Sequence, residues 1–138
     1  MPDRYLDSVN YYVLLPPGAL SLTGDFTISL WVNPTQLRNG QRIFTNYTLR
    51  SSDYVRFGWD LNTGTGGDIT FTWANNGVHQ SVTAAVPLLA GVWQLITVVR
   101  TAATTKIYVN GRLSGSTANT ISIAYNTNTK VSLGANTY

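Results

Sequence analysis

The sequence predicts an all-β chain, folded as a two-sheet antiparallel β-sandwich of the jelly-roll kind. Two observations carry this. Apolar and polar residues alternate with period two through nearly every hydrophobic stretch, as in strands with one buried face. Turn residues separate these runs at short spacing, giving roughly ten short strands and no segment with sustained helical periodicity and a cap.

Tyr11, Val13 and Leu15 share one side of a first strand, which Pro16-Pro17-Gly18 ends. Phe26, Ile28, Leu30 and Val32 share one face of a second, and Trp31 points the other way with Thr27 and Ser29. A third strand is expected over Gln41 to Thr48. The rows Val55-Phe57-Trp59-Leu61 and Ile69-Phe71-Trp73 read as a hairpin with one apolar face, its cross-strand pairs contributing about 0.2–1 kcal/mol each. Asn76-Gly77 precedes another alternating strand through Gln80, Val82, Ala84 and Val86. Val92 to Arg100 is apolar on both faces and predicts a central strand. Asn110-Gly111, between Ile107-Tyr108-Val109 and Arg112-Leu113, is a type I′ hairpin signal because both residues tolerate positive φ. Further strands are expected at Ile121–Tyr125 and Val131–Ala135. The expected core is Val13, Phe26, Ile28, Leu30, Val32, Phe57, Trp59, Phe71, Trp73, Val98, Ile107 and Val109. With Ile28 fully enclosed, Ile28→Ala would cost about 2–5 kcal/mol.

The 138 residues make one domain, 1–138, large enough to bury a core without staples. The absence of cysteine excludes disulfides and thiolate metal sites. Charged residues make up 11% of the chain, and all six acids are aspartate. The net charge of +3 rests on few groups, and Arg38, Arg42, Arg50 and Arg56 do not cluster. A nucleic-acid footprint needs a concentrated basic face, so no nucleic-acid partner is expected. The first six residues lack a signal-peptide pattern. No apolar run approaches the roughly 18 residues of a membrane span, so no membrane partner is expected.

Asp7 to Pro16, Asp25 to Val32, Gly91 to Val98 and Ile107 to Gly111 occur in an order and spacing that resemble the laminin-G-like branch of the concanavalin-A-like jelly rolls. That resemblance implies a fold that usually recognises rather than catalyses. In the family a final strand returns beside the first; here the sequence reaches Tyr138 where that strand would begin. The resemblance therefore implies an open, partner-seeking edge at Tyr11, Tyr12, Val13, Leu14 and Leu15. A different segment pairs there, or another chain does, or the sequence is a fragment. Self-association through this edge is one expectation.

No catalytic residues are expected. Glycoside hydrolysis needs two carboxyl groups flanking the bond, and Asp53 and Asp60 would lie roughly 23 Å apart along a strand. His79 reads as an exposed residue beside a turn. Gly64-Thr65-Gly66-Gly67 joins strands and opens no helix, so it lacks phosphate-loop logic. Asn46-Tyr47-Thr48 matches a glycosylation sequon inside an expected strand, and is read as chance. Calcium wants six to eight oxygens; no cofactor is expected, and Asp25 and Asp68 are the nearest to calcium ligands. Asp25 also suits the turn before its strand. Among the aromatics, Trp59 and Trp73 read as core from their alternation, and the resemblance implies the same of Trp93. The ligand-binding candidates are Trp31, Tyr54 and Tyr108, with Tyr12, Tyr47 and Tyr125 as other exposed rings.

Two functions remain. The first is a non-enzymatic structural or interaction module of an assembled particle, such as a bacteriophage decoration, tail or fibre protein, acting through protein–protein contacts on a virion or particle surface. The alternative is a glycan-binding or adhesion module of a larger secreted bacterial protein, in an extracellular setting.

Overall fold

The computed structural model describes residues 13–46, 48–49, 56–125 and 130–134. Their strands are β1 (Val13–Leu15), β2 (Phe26–Val32), β3 (Arg42–Thr45), β4 (Thr48–Leu49), β5 (Arg56–Thr63), β6 (Ile69–Asn75), β7 (Val78–Thr83), β8 (Gln94–Arg100), β9 (Thr104–Val109), β10 (Arg112–Ala118) and β11 (Val131–Leu133). They form two antiparallel sheets. The wider runs β1-β11-β3-β5-β6-β7, with β4 added to β5; the narrower runs β10-β9-β8-β2. Among the described residues the only helical element is the 3-10 turn Thr65–Gly67.

Local chemistry explains the joints. Asn76 and Gly77 have φ of 48° and 83°, and Asn110 and Gly111 have 50° and 79°. Both pairs meet the type I′ requirement that twists a tight hairpin correctly. The strand read from apolar character on both faces, β8, lies centrally between β9 and β2. The sheets come together where β10 meets β7: Ala85 donates its amide to Ser114 O at 2.8 Å. A Cβ at Gly115 would lie 2.5 Å from Thr83 O, so only glycine fits this approach.

Trp59, Leu61, Ile69, Phe71, Trp73, Ile96, Val98, Ile107 and Val109 fill the space between the sheets. Phe71 lies at the centre of an aromatic chain, 6.1 Å from Phe26, 6.4 Å from Trp59 and 5.9 Å from Trp73, within the range where such pairs attract.

Several expectations are corrected. Val13 is 46% exposed rather than core, because β1 is the outermost described strand of its sheet. Phe26, Ile28, Leu30 and Val32 face inward but are only half-buried, because β2 ends the narrower sheet. Ile28→Ala should therefore destabilise by about 2 kcal/mol, the lower end of the range, and fully buried Ile107→Ala by more; chemical denaturation of the two variants checks the order. The Phe57 side chain lies outside the description. The expected third strand is split into β3 and β4, and 121–125 forms no strand. There Ala124 bonds both sides of a gap, accepting from Gly58 N at 2.9 Å and donating to Ala74 O at 3.2 Å.

Among the described residues β1 ends the wider sheet and has one neighbour, β11. β11 pairs with β1, Val13 opposite Leu133 and Leu15 opposite Val131, and on its other side with β3. Tyr11 and Tyr12, the rest of the expected partner edge, lie outside the described residues.

Candidate functional site

The outer face of the narrower sheet is built by strand alternation. Thr27, Ser29 and Trp31 point outward from β2, opposite Val99, Thr97 and Leu95 on β8. Thr97 is opposite Tyr108 on β9, and Tyr108 is opposite Leu113 on β10. One row thus reads Ser29–Thr97–Tyr108–Leu113, and Trp31 and Leu95 stand in the next. Ser29 Oγ and Thr97 Oγ1 share a hydrogen bond of 2.7 Å. Asn110 holds the end of the face, its Oδ1 accepting from Leu95 N at 2.9 Å.

Trp31 is 61% exposed and Trp93 63% exposed. The exposure of Trp93 corrects its core assignment. Gln94, the first residue of β8, takes the inward position, where its Oε1 accepts from Leu89 N at 2.7 Å and its Nε2 donates to Pro87 O. Trp93 precedes β8 and stands exposed beside the Gln94 end of that strand. The signal was available in the sequence: 94, 96, 98 and 100 must share a face if Ile96 and Val98 are core. The structure brings Trp31 and Tyr108 onto one face, two strands apart and roughly 12 Å from each other. Tyr54 lies outside the described residues. The face carries hydroxyls, flat rings and one central cation, Lys106, and no carboxylate. It can stack apolar surface on an indole while hydroxyls satisfy neighbouring polar groups.

The calcium candidates are not brought together. Asp25 precedes β2 at the end where Phe26 pairs with Arg100. Asp68 lies at the opposite end, where Gly67 O accepts from Leu88 N and Leu89 N bonds Gln94, the partner of Val32. The length of β2, roughly 20 Å, separates them. Among the described residues no three His, Cys, Asp or Glu side chains cluster as metal ligands.

Two polar features were not read from the sequence. Beside Asp25, an open cleft of about 390 Å³ is lined by Arg100, Thr101, Asn119, Thr120 and Ser122 among others. Arg100 closes this end of the core, its guanidinium 4.8 Å from the Trp73 ring centroid and bonded to Thr105 Oγ1 and Ile121 O. On the outer side of the wider sheet, Asp60 is buried between Arg42, which pairs with it, and Asn62, which donates to it at 2.6 Å. An acid between Trp59 and Leu61 in a central strand was the available signal.

Burial pushes the Asp60 carboxyl above its ordinary value of 3.8, outweighing Arg42 and Asn62. The folded state therefore holds this proton to higher pH than the unfolded chain. The contribution is fully present below 3.8 and is lost as pH rises through the folded-state value. Unfolding free energy measured from pH 4 to 7 should fall less steeply with rising pH in Asp60→Asn than in the parent. Identical pH profiles would refute this assignment.

The Laminin_G_3 family model, described as the concanavalin A-like lectin/glucanases superfamily, matches residues 7–138. The chain belongs to this superfamily. Similar solved structures include the superfamily fold in three settings. Domain 4 of AbnA, a GH43 extracellular arabinanase from Geobacillus stearothermophilus, in complex with arabinotriose, is 22% identical with TM-score 0.73, over 92% of this chain and 59% of that one. The mouse laminin alpha1 domains LG4-5 are 16% identical with TM-score 0.66, over 94% and 33%. The binding domain of botulinum neurotoxin DC in complex with SialylT is 16% identical with TM-score 0.63, over 89% and 31%. The chain thus spans less than two thirds of each of these structures. At such identities the likeness establishes the concanavalin A-like fold alone. No curated protein sequence matches the chain.

Proposed function

We propose that this concanavalin A-like domain is a non-catalytic glycan-binding module, with its ligand held on the outer face of β2, β8, β9 and β10. The carrying observation is the pair Trp31 on β2 and Trp93, the residue just before β8, each more than 60% exposed. Two exposed indoles on a nearly uncharged face lose little solvation when a sugar ring stacks on them. The Ser29–Thr97 hydroxyls and Asn110 flank them as hydrogen-bonding groups. Tyr108 lines the same face farther along, where a second sugar unit would reach.

Fold neighbours in complex with arabinotriose and with SialylT support this reading over the particle reading. Nothing in the fold or its neighbours favours a bacteriophage role. The setting that fits is extracellular, where glycans are displayed.

Arabinotriose and SialylT, the ligands of the two fold neighbours, are the first probes, followed by a broad glycan array. Trp31→Ala should weaken the best ligand tenfold or more, the effect of removing an anchoring aromatic. Its stability should shift by no more than about 0.5 kcal/mol, because an exposed side chain is being removed. Unchanged affinity in Trp31→Ala would move the site elsewhere.

A further inference from the structure

The open cleft of about 390 Å³ beside Asp25 lies at the end of the sandwich where Phe26 pairs with Arg100. Trp31 stands at the other end of β2, roughly 20 Å away. One wall of the cleft is residues 23–25, which lead into β2. The other is residues 119–122, which follow β10. This second wall forms no strand, yet each of its residues is fastened. Asn119 Nδ2 donates to Thr101 O at 2.7 Å, and its Oδ1 accepts from Thr105 Oγ1 at 2.7 Å. Thr120 N donates to Gln80 Oε1 at 2.9 Å, and Ile121 O accepts from both Arg100 and Trp73. Ser122 Oγ accepts from Asn75 Nδ2 at 2.8 Å. A wall held in this way is shaped before a ligand arrives, which lowers the ordering cost of binding.

Arg100 lines the cleft from the core side, since the even-numbered residues of β8 face inward. Thr105 Oγ1 and Ile121 O take two of the five N–H donors of its guanidinium. The other donors have no protein acceptor among the described residues. Asp25 brings the opposite charge to the facing wall. Its carboxylate raises the affinity of Arg100 for its proton, against the effect of burial, yet the two make no direct ion pair. We propose that this cleft is a second binding site, taking one neutral sugar unit by a vicinal diol. A carboxylate can only accept and a guanidinium can only donate. Neighbouring hydroxyls answer both, one donating to Asp25 and the next accepting from Arg100. The Ser122 hydroxyl proton and the Thr23 hydroxyl are left for a further ring hydroxyl. One carboxylate and one guanidinium cancel, so a ligand with net charge gains nothing from the cleft as a whole. A zwitterion would also have to shed the hydration of two charges of its own, whereas hydroxyls replace water at small cost. The volume lies at the small end of the range for small-molecule sites. The site is read from different residues than the outer face and stands apart from it.

The test is a nuclear magnetic resonance titration of the isotope-labelled domain with L-arabinose, D-galactose, D-mannose and D-fructose in turn, and with glycine as the zwitterion. At least one sugar should shift the amides of residues 23–25 and 119–122 saturably, with a dissociation constant in the millimolar range. Asp25→Asn changes an exposed side chain to one of the same shape. It should weaken that binding about tenfold, the effect of one hydrogen bond to a charged group. Trp31→Ala should leave it unchanged. The absence of saturable shifts at these amides with any of the sugars would overturn the proposal. So would shifts produced by glycine alone, sugar shifts that persist undiminished in Asp25→Asn, or sugar shifts that vanish in Trp31→Ala.

Discussion

Trp73→Ala should destabilise the domain by about 3–5 kcal/mol, the range for truncating a buried tryptophan. Its side chain is fully buried and does three things. It packs against Phe71 at 5.9 Å between ring centroids. Its Nε1 donates to Ile121 O at 3.3 Å, tying down a stretch with no strand of its own. Its ring lies 4.8 Å from the Arg100 guanidinium. Burial disfavours the Arg100 charge and the nearby Asp25 carboxylate favours it; the Trp73 ring is a further part of what makes that charge tolerable. Alanine leaves a cavity and a less compensated cation together. Trp73→Phe keeps much of the volume and should lose about half as much. Urea denaturation resolves the order, and equal losses would show that the ring volume kept by phenylalanine contributes nothing.

Gly58→Ala should cost about 3 kcal/mol, out of proportion to one methyl group. Gly58 has φ of +94°, where an L side chain is strained by roughly 1–3 kcal/mol. A Cβ would also lie 2.4 Å from Asn46 Oδ1 and 2.6 Å from Asn46 O. Asn46 cannot easily yield, because its Oδ1 accepts from Trp59 N at 2.9 Å and its own N donates to Trp59 O at 3.0 Å. Gly111 supplies the contrast. It also has positive φ, at +79°, but nothing lies within 4 Å of its absent Cβ. Gly111→Ala should therefore lose only the conformational part. For a domain of this size the difference between the variants is a melting shift of several degrees. Indistinguishable melting temperatures would show that Asn46 moves freely.

These two sites show what the sequence could and could not disclose. The inward position of Trp73 was legible because period-two alternation with Ile69 and Phe71 needs no knowledge of distant residues. The Asn110-Gly111 turn was legible for the same reason. Gly58 was not, since the Asn46 atoms that leave no room for a side chain there come from a neighbouring segment of the sheet. Alternation tells a strand's face but not its place in a sheet. Phe26, Ile28, Leu30 and Val32 read alike in a central strand or an edge strand, so full burial was overstated. The pairing of Val13–Leu15 with Val131–Leu133 joins opposite ends of the chain through three residues each, too short a pattern to declare its partner. Asp25 and Asp68 each sit before a strand, but nothing local says that those strand ends lie at opposite ends of the sandwich.

The candidate site was half legible. Trp31 stood out because it opposes its strand's apolar row, and Tyr108 because it alternates with Ile107 and Val109. Trp93 was lost to a family spacing that read it as core, although the alternation of Gln94, Ile96 and Val98 places it outside.

The most direct measurement is an isothermal titration of the best array glycan into the parent domain and into the Trp31→Ala/Trp93→Ala double variant. The two chains should unfold at nearly the same denaturant concentration, since both side chains are exposed. The account predicts saturable binding to the parent and a loss of at least a hundredfold in the double variant, as for two anchoring aromatics removed together. A folded double variant that binds the glycan as tightly as the parent would contradict it.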